Sequence, residues 1–225
     1  MKRAALFLVP VIALAIGWQM SATAGERAVL APAPELAARE SEGLKTAIFA
    51  GGCFWGVEGV FSHVKGVTSA VSGYHGGTAR TARYALVSSG RTTHAEAVRV
   101  RYDPAVVSYD QLLRIFFSVV ADPTQLDRQG PDRGTQYRSA LVPIGAEQAK
   151  VAKAYLRQLG ASGVWDKPIV TRIEKPGAFY PAEKYHQDFM AANPDHPYIM
   201  RWDAPKLAAL RKLYPGVYKR AFTRH

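Results

Sequence analysis

Ile48 to Gly56 reads I-F-A-G-G-C-F-W-G and carries the only cysteine of the chain, Cys53. A short apolar run closed by Gly51-Gly52 and followed by a helix-compatible segment predicts a strand, a tight turn and a helix N-terminus, with the thiol in the first turn. Unpaired N–H groups and the positive end of a helix dipole favour an anion there, so the thiol is expected to titrate below its free value of about 8.5. Phe54 and Trp55 set aromatic surface beside the sulfur, which suits a substrate with a small apolar group on an electrophilic atom. Two adjacent glycines are costly in a packed element and point to a backbone that something approaches closely. The ordinary alternative is a small buried core cysteine among core aromatics.

Upstream of this stretch, Lys2 and Arg3 precede an apolar run from Ala4 to about Trp18, and Ala22 to Ala24 form an Ala-x-Ala pattern. That layout predicts a signal peptide over residues 1–24, cleaved before Gly25, and hence an exported, periplasmic protein; an uncleaved anchor is the alternative. Residues 25–43 are rich in Ala, Pro and Glu without hydrophobic periodicity and read as a flexible leader. A single folded domain is expected over residues 44–225, and a monomer. The formal net charge of +11, less the charges of Lys2 and Arg3, leaves +9 on the mature chain. Its Lys and Arg residues are scattered, which reads as a solvated basic surface, and nucleic acid is not an expected partner of an exported protein. One cysteine excludes an internal disulfide, so the thiol either pairs with another chain or is reactive.

Downstream, Val57, Val60, Phe61 and Val64 have the three-and-four spacing of a one-sided helix. Gly66 to Ser72 reads as a strand running into a glycine-rich loop, S-G-Y-H-G-G-T, without a phosphate-binding pattern. Tyr84 falls in the loop region that follows. His94 to Tyr102 alternates as a strand and contains Glu96, whose neighbours on one face are His94 and Val98. A carboxyl held among apolar groups has a raised pKa and can serve as a general acid; a solvent-facing glutamate is the other reading. Ser108 caps a helix through Val120. Ala121 to Ser139 is a long polar stretch of the kind that is usually functional in compact domains, with Asp132 and Tyr137 its candidate hydrogen-bonding groups. Tyr137 to Ile144 and Ile169 to Ile173 read as strands, Ala146 to Leu159 as an amphipathic helix, and Phe179 to Met190 as an aromatic-rich turn leading into a helix. His186 there reads as a structural histidine. A short helix near Ala204 to Leu213 lies in a long, irregular, proline-punctuated C-terminal region. The pattern is an α+β domain, and no metal-ligand spacing is present.

An activated thiol, aromatic walls, a protonated carboxyl and tyrosine donors together fit a sulfoxide: Cys53 attacks sulfur, and Glu96 with tyrosine hydroxyls protonates and holds the oxygen. G-C-F-W-G at Gly52 to Gly56, G-Y-x-G-G from Gly73, H-A-E-A-V at His94 to Val98, D-R-G-T-Q-Y-R-S at Asp132 to Ser139 and F-Y-P-A-E-x-Y-H-Q at Phe179 to Gln187 resemble, in order, the motifs of the A-type peptide methionine sulfoxide reductases.

The resemblance implies Cys53 as nucleophile, Phe54 and Trp55 as a methyl-binding wall, Glu96 as acid, Tyr84 and Tyr137 as oxygen-binding donors and Asp132 as an organiser of the site. It also implies a mixed sheet with helices packed on it in a ferredoxin-like plait, the cysteine at the start of the first core helix, and selectivity for the S epimer. Free methionine sulfoxide and oxidised proteins would be the substrates, and no bound cofactor or metal is expected. The chain departs from many members of that family in lacking C-terminal resolving cysteines, and Ser88-Ser89 stand where another cysteine sometimes occurs. An external thiol, thioredoxin-like, glutaredoxin-like or small, is therefore expected to regenerate Cys53. A cysteine hydrolase, which requires a histidine base at Cys53, and a non-catalytic basic surface-binding protein are the competing classes.

Overall fold

The computed structural model describes residues 28–224; the expected signal peptide, residues 1–24, lies outside them. Strand β1 (Lys45–Gly51) runs through Gly52 and Cys53 into α1 (Phe54–Ser62), followed by β2 (Val67–His75), a one-turn helix α2 (Tyr84–Val87), β3 (Ala95–Tyr102) and α3 (Tyr109–Ile115), which widens into a π-turn over Phe116–Val120. A small hairpin of β4 (Arg128–Gln129) and β5 (Asp132–Arg133) precedes β6 (Ser139–Val142). Helix α4 (Ala146–Ala161), β7 (Arg172–Ile173), β8 (Phe179–Pro181), α5 (Phe189–Ala192) and α6 (Ala204–Leu213) complete the succession.

The main sheet has the order β7-β6-β1-β3-β2-β8. Only β6 and β7 pair in parallel; the other neighbours are antiparallel. Its inner part, β6-β1-β3-β2 with α1 and α3 as the connecting helices, is the β-α-β-β-α-β arrangement of a ferredoxin-like plait, as expected. β7 and β8 extend it at either edge.

Alternation along β1 builds two cores. Ala47 and Phe49 join the large cluster beneath the helices, while Ile48 and Ala50 join a smaller one on the opposite face with Ala95, Ala97, Ala140 and Val142. Phe49 is the hub of the larger cluster, with ring centroids of Phe61 at 4.7 Å, Phe116 at 5.3 Å and Tyr109 at 6.2 Å. Helix α1 reaches it through Val57, Val60 and Phe61, all fully buried. At the start of α3, Ser108 and Gln111 form the capping box, so the expected cap is present.

Two expectations are corrected here. The glycine-rich loop begins at Gly76 rather than at Ser72, because Gly73, Tyr74 and His75 belong to β2 and pair with both β3 and β8. Gly73 serves close strand approach, not a turn: a Cβ there would lie 2.4 Å from the carbonyl oxygen of Tyr180.

Residues 28–43, expected as a flexible leader, have no helix or strand but lie fastened along the helix layer. Ala31 is fully buried; its N–H donates to Ser118 Oγ at 3.0 Å and its carbonyl accepts from Arg114 Nε at 2.9 Å. Tyr155 donates its hydroxyl to the Pro32 carbonyl at 2.8 Å, and the Ala38 N–H donates to Asp110 Oδ1 at 2.9 Å. Glu40 accepts the Tyr102 hydroxyl and, at 3.1 Å, the N–H of Tyr109 at the start of α3. Replacing Glu40 by alanine is therefore expected to destabilise the fold by about 1–3 kcal/mol, measurable as a lowered urea midpoint with an unchanged slope.

Candidate active site

The site is assembled where β1 ends. Gly52 takes φ +87° and turns the chain so that Cys53 occupies the N-cap position of α1, followed at once by the helical Phe54. The adjacent glycines do answer to close approach, but to the protein's own interior. A Cβ on Gly51 would sit 2.7 Å from the Phe116 ring, and one on Gly52 2.6 Å from Gln129 Cβ.

Glu96 projects from β3 on the helix side of the sheet, opposite Tyr74 of β2 in register, and is 2% exposed. Its Oε2 accepts the N–H of Phe54 at 3.0 Å. The carboxyl thus takes one of the unpaired amides at the helix start that sequence reasoning reserved for the sulfur. Burial pushes Glu96 up to about 8; the Phe54 N–H pulls the other way, and the charges of Asp132 and Asp203 add to the rise. Its apolar setting and raised pKa agree with the reading of the strand.

Cys53 departs from expectation. Some of its surface remains open to solvent, yet desolvation, followed by the charges of Glu96 and Asp203, pushes its thiol well above the ordinary value. The N–H of Trp55 favours the anion, as a helix start should, but is outweighed. The resting group is a thiol because burial first, and then Glu96, Asp203 and Asp132, oppose the anion that one helix end alone would favour.

Two tyrosines feel the charges of the same groups. Burial, then the charges of Glu96 and Cys53, raises Tyr84 to about 12. Tyr137, at the end of a 3-10 turn over Thr135–Tyr137, is raised by burial and then by Glu96 and Asp132. Both therefore remain hydroxyl donors at neutral pH. Tyr84, expected in a loop, begins α2. Asp132 lies in β5, opposite Gln129, and accepts the hydroxyl of Tyr198. Tyr198 was not singled out by sequence reasoning; burial and then the Cys53 charge raise it, which brings it into the same constellation.

Of the two aromatic neighbours, Phe54 is 1% exposed, packed against His186 at 5.0 Å and Tyr74 at 5.9 Å. Trp55 is half-buried. Phe189 stacks on it at 3.8 Å with a 10° interplanar angle, and its Nε1 donates to His186 Nδ1 at 3.1 Å. That bond makes Nδ1 the unprotonated nitrogen, and burial holds the His186 pKa below its ordinary value. His186, expected as a satisfied structural histidine with support of the site as the alternative, orients the indole of Trp55 in its neutral form, and its buried Nε2 has no hydrogen-bond partner among the described residues.

Asp203, also missed from the sequence, is fully buried against the first turn of α1. It fits only because residue 56 is glycine: a Cβ there would lie 2.1 Å from Asp203 Oδ1 and 2.8 Å from its Cγ. Gly56→Ala is expected to displace the Ile199–Asp203 turn, costing about 1–3 kcal/mol and lowering turnover as Tyr198 moves with it. Thermal melts and rates on the one variant check both.

Residues 45–215 match the family described as peptide methionine sulfoxide reductase. The peptide methionine sulfoxide reductase MsrA 2 of Mesorhizobium japonicum is 54% identical over 180 residues, covering 80% of this chain and 92% of its own. A second MsrA 2, of Synechocystis, is 53% identical over 179 residues, covering 80% and 84%. Among solved structures, methionine sulfoxide reductase A of Corynebacterium diphtheriae is 33% identical with a TM-score of 0.57, covering 76% of this chain and 86% of that one. Mxr1 of Saccharomyces cerevisiae in its reduced form is 33% identical with a TM-score of 0.60, covering 68% and 87%. A match of that extent, over a plait whose first helix starts at a lone cysteine faced by a buried carboxyl, makes the chain a member of the peptide methionine sulfoxide reductase family.

Proposed function

We propose that the protein reduces methionine sulfoxide, free or within oxidised polypeptides, to methionine and so repairs oxidised proteins, with Cys53 as nucleophile, Glu96 as acid and the S epimer as substrate. The observation that carries this reading is the meeting of a lone thiol with a buried carboxyl pushed up to about 8 at one helix start. The S-methyl group rests against Phe54 and Trp55, and the sulfoxide oxygen lies among Glu96, Tyr84 and Tyr137, with Asp132 holding Tyr198 beside them.

As Cys53 Sγ bonds to the sulfoxide sulfur, Glu96 gives its proton to the oxygen and the thiol proton replaces it on the carboxylate. The hydroxyl then passes to Sγ: the Sγ–O bond forms, the substrate S–O bond and the transient Sγ–S bond break, and the substrate sulfur keeps the electron pair, so the products are a thioether and a sulfenic acid. Substrate sulfur gains two electrons and the cysteine sulfur loses them. No net charge is created, which suits a site where both groups rest neutral. Burial acts most strongly on the thiol, and the groups that follow it are the carboxyls of Glu96 and Asp203 rather than an imidazole, which favours this chemistry over a histidine-activated hydrolase.

With no second cysteine in the chain, an external thiol, from a thioredoxin-like or glutaredoxin-like protein or a small molecule, attacks the sulfenic acid and releases water; a second thiol resolves the mixed disulfide. Residues 1–24 direct export, so this cycle runs outside the cytoplasm, in a monomer; N-terminal sequencing of the protein from a periplasmic fraction should begin at Gly25, and recovery only from the cytoplasm would remove this part of the reading.

The test is turnover of separated S and R epimers of N-acetylmethionine sulfoxide with dithiothreitol. Reduction of the S epimer alone is expected. Failure to reduce either, by folded protein with a free thiol, would overturn the assignment.

A further inference from the structure

One carboxylate outside the constellation holds two of its parts. Glu183 lies between β8 and the 3-10 turn over Lys184–His186. Its Oε1 accepts the N–H of Tyr84, the first residue of α2, at 2.9 Å, and its Oε2 accepts the hydroxyl of Tyr74 at 2.8 Å. Burial alone would raise its pKa, yet the Tyr84 N–H, its own N–H and the Tyr74 hydroxyl bring it below the ordinary carboxylate value, so it is a firmly ionised acceptor. Tyr74 is fully buried, pairs with Glu96 across β2 and β3, and packs against Phe54.

Helix α2 needs such a tie. It is four residues long, and its N-cap, Arg83, makes no side-chain capping bond. Chain elements on its N-terminal side are a 3-10 turn over Ala79–Thr81 with no buried residue and the Gly76-Gly77 turn. A helix of one turn is not self-sustaining; Val87 anchors its far end in the core and the Tyr84 ring packs on His186 at 4.3 Å, so the place of Tyr84 at the near end depends on what grips its backbone there. Three residues beyond Glu183, His186 accepts from Trp55, so one short segment registers both a wall and a hydroxyl.

We propose that Glu183 is a positioning residue for the reduction, holding the Tyr84 hydroxyl at the sulfoxide oxygen by bridging the start of α2 to Tyr74 of the sheet. The inference rests on Tyr84 as an oxygen-holding donor in the reaction proposed above. Glu183 itself touches no reacting atom. Loss of the bridge lets α2 shift while leaving Cys53, Glu96 and the plait in place, so binding and folding should change less than the rate of the first chemical step.

The test is a double-mutant cycle read on methionine formed in a single turnover, without added thiol, so that regeneration does not enter. A burst from the unmutated protein establishes the underlying reaction first; without that burst, the functional reading fails and not this one. Glu183→Ala is expected to slow the burst by about 10- to 100-fold with little change in the substrate concentration giving half-maximal rate. Added to Tyr84→Phe, the same change should cost no more than about twofold, because the hydroxyl it positions is already gone. Glu183→Gln, whose amide can still accept from Tyr84 and meet the Tyr74 oxygen, should stay within about threefold of the unmutated rate. Equal losses from Glu183→Ala in both backgrounds would overturn the proposal and leave Glu183 a purely structural residue. Should Glu183→Ala not fold, Glu183→Asp, one methylene too short to span both partners, takes its place in the cycle with the same two outcomes.

Discussion

Cys53→Ser is expected to abolish reduction down to the background rate of the thiol reductant alone, while the protein remains folded. A serine hydroxyl is a far weaker nucleophile and cannot carry the oxygen away, and no second cysteine exists to substitute for it. The unmutated protein, incubated with sulfoxide and no reductant, should release one methionine per chain and then stop, gaining the mass of a single oxygen atom. A dimedone adduct at Cys53 would identify that oxygen as a sulfenic acid. Release of more than one methionine per chain without added thiol would contradict the proposed cycle.

The second large effect is expected at Glu96. Loss of a positioned general acid typically costs about 10²- to 10⁴-fold, and Glu96→Ala should fall in that range in single-turnover rate. Glu96→Gln keeps a hydrogen-bond donor without a transferable proton and should lie between the two. The pH dependence follows from the direction of the shift. Glu96 is pushed up to about 8, so its proton is held more tightly in the folded protein than in the unfolded chain. Its contribution to stability is complete below the ordinary carboxylate pKa and is lost as pH rises through about 8. The single-turnover rate should fall over the same upper range, as the acid loses its proton.

Glu58 of α1 provides an internal comparison. It is fully buried and also raised to about 8 by burial, partly offset by the Asp188 N–H. Stability should therefore still decline in Glu96→Gln as pH rises from the ordinary carboxylate range through about 8, whereas the alkaline fall of the rate should disappear. A rate profile unchanged in Glu96→Gln would assign the alkaline limb elsewhere.

The strands and helices of an α+β domain were readable because they announce themselves locally; the plait they form came only with the family resemblance. Ile48 and Phe49 lie in a short apolar run closed by glycines, Val57, Val60 and Phe61 repeat at helical spacing, and Ser108 marks a helix start. Glu96 was only half readable: the alternating strand left it either buried among apolar groups or facing solvent, and the structure buries it. What stayed hidden depends on partners far along the chain. Tyr198 reaches Asp132 from 66 positions away and Glu183 reaches Tyr84 from 99, in a region whose prolines give no periodicity to read. Asp203 precedes Ala204-Pro205 and looks like an ordinary helix cap, yet it makes no capping bond and is turned against α1. The segment over residues 28–43 was taken for a leader because it docks largely through backbone N–H and carbonyl groups, which leave no mark in the side-chain pattern. The thiol was misjudged because the helix start is local and the carboxyl groups around it are not.

The carboxylate-lined setting of Cys53 bears on how long the enzyme lasts. Peroxides and electrophiles consume thiolates far faster than thiols, and oxidation beyond the sulfenic stage is irreversible for most proteins. A sulfur kept protonated between substrates is chemically quiet, and in the proposed step it sheds its proton to Glu96 only as Glu96 passes its own to a bound sulfoxide. For a chain with one cysteine and no spare to form a protective disulfide, the burial and charges that disfavour ionisation of Cys53 lower the share of thiolate exposed to the oxidants whose damage the protein is proposed to repair.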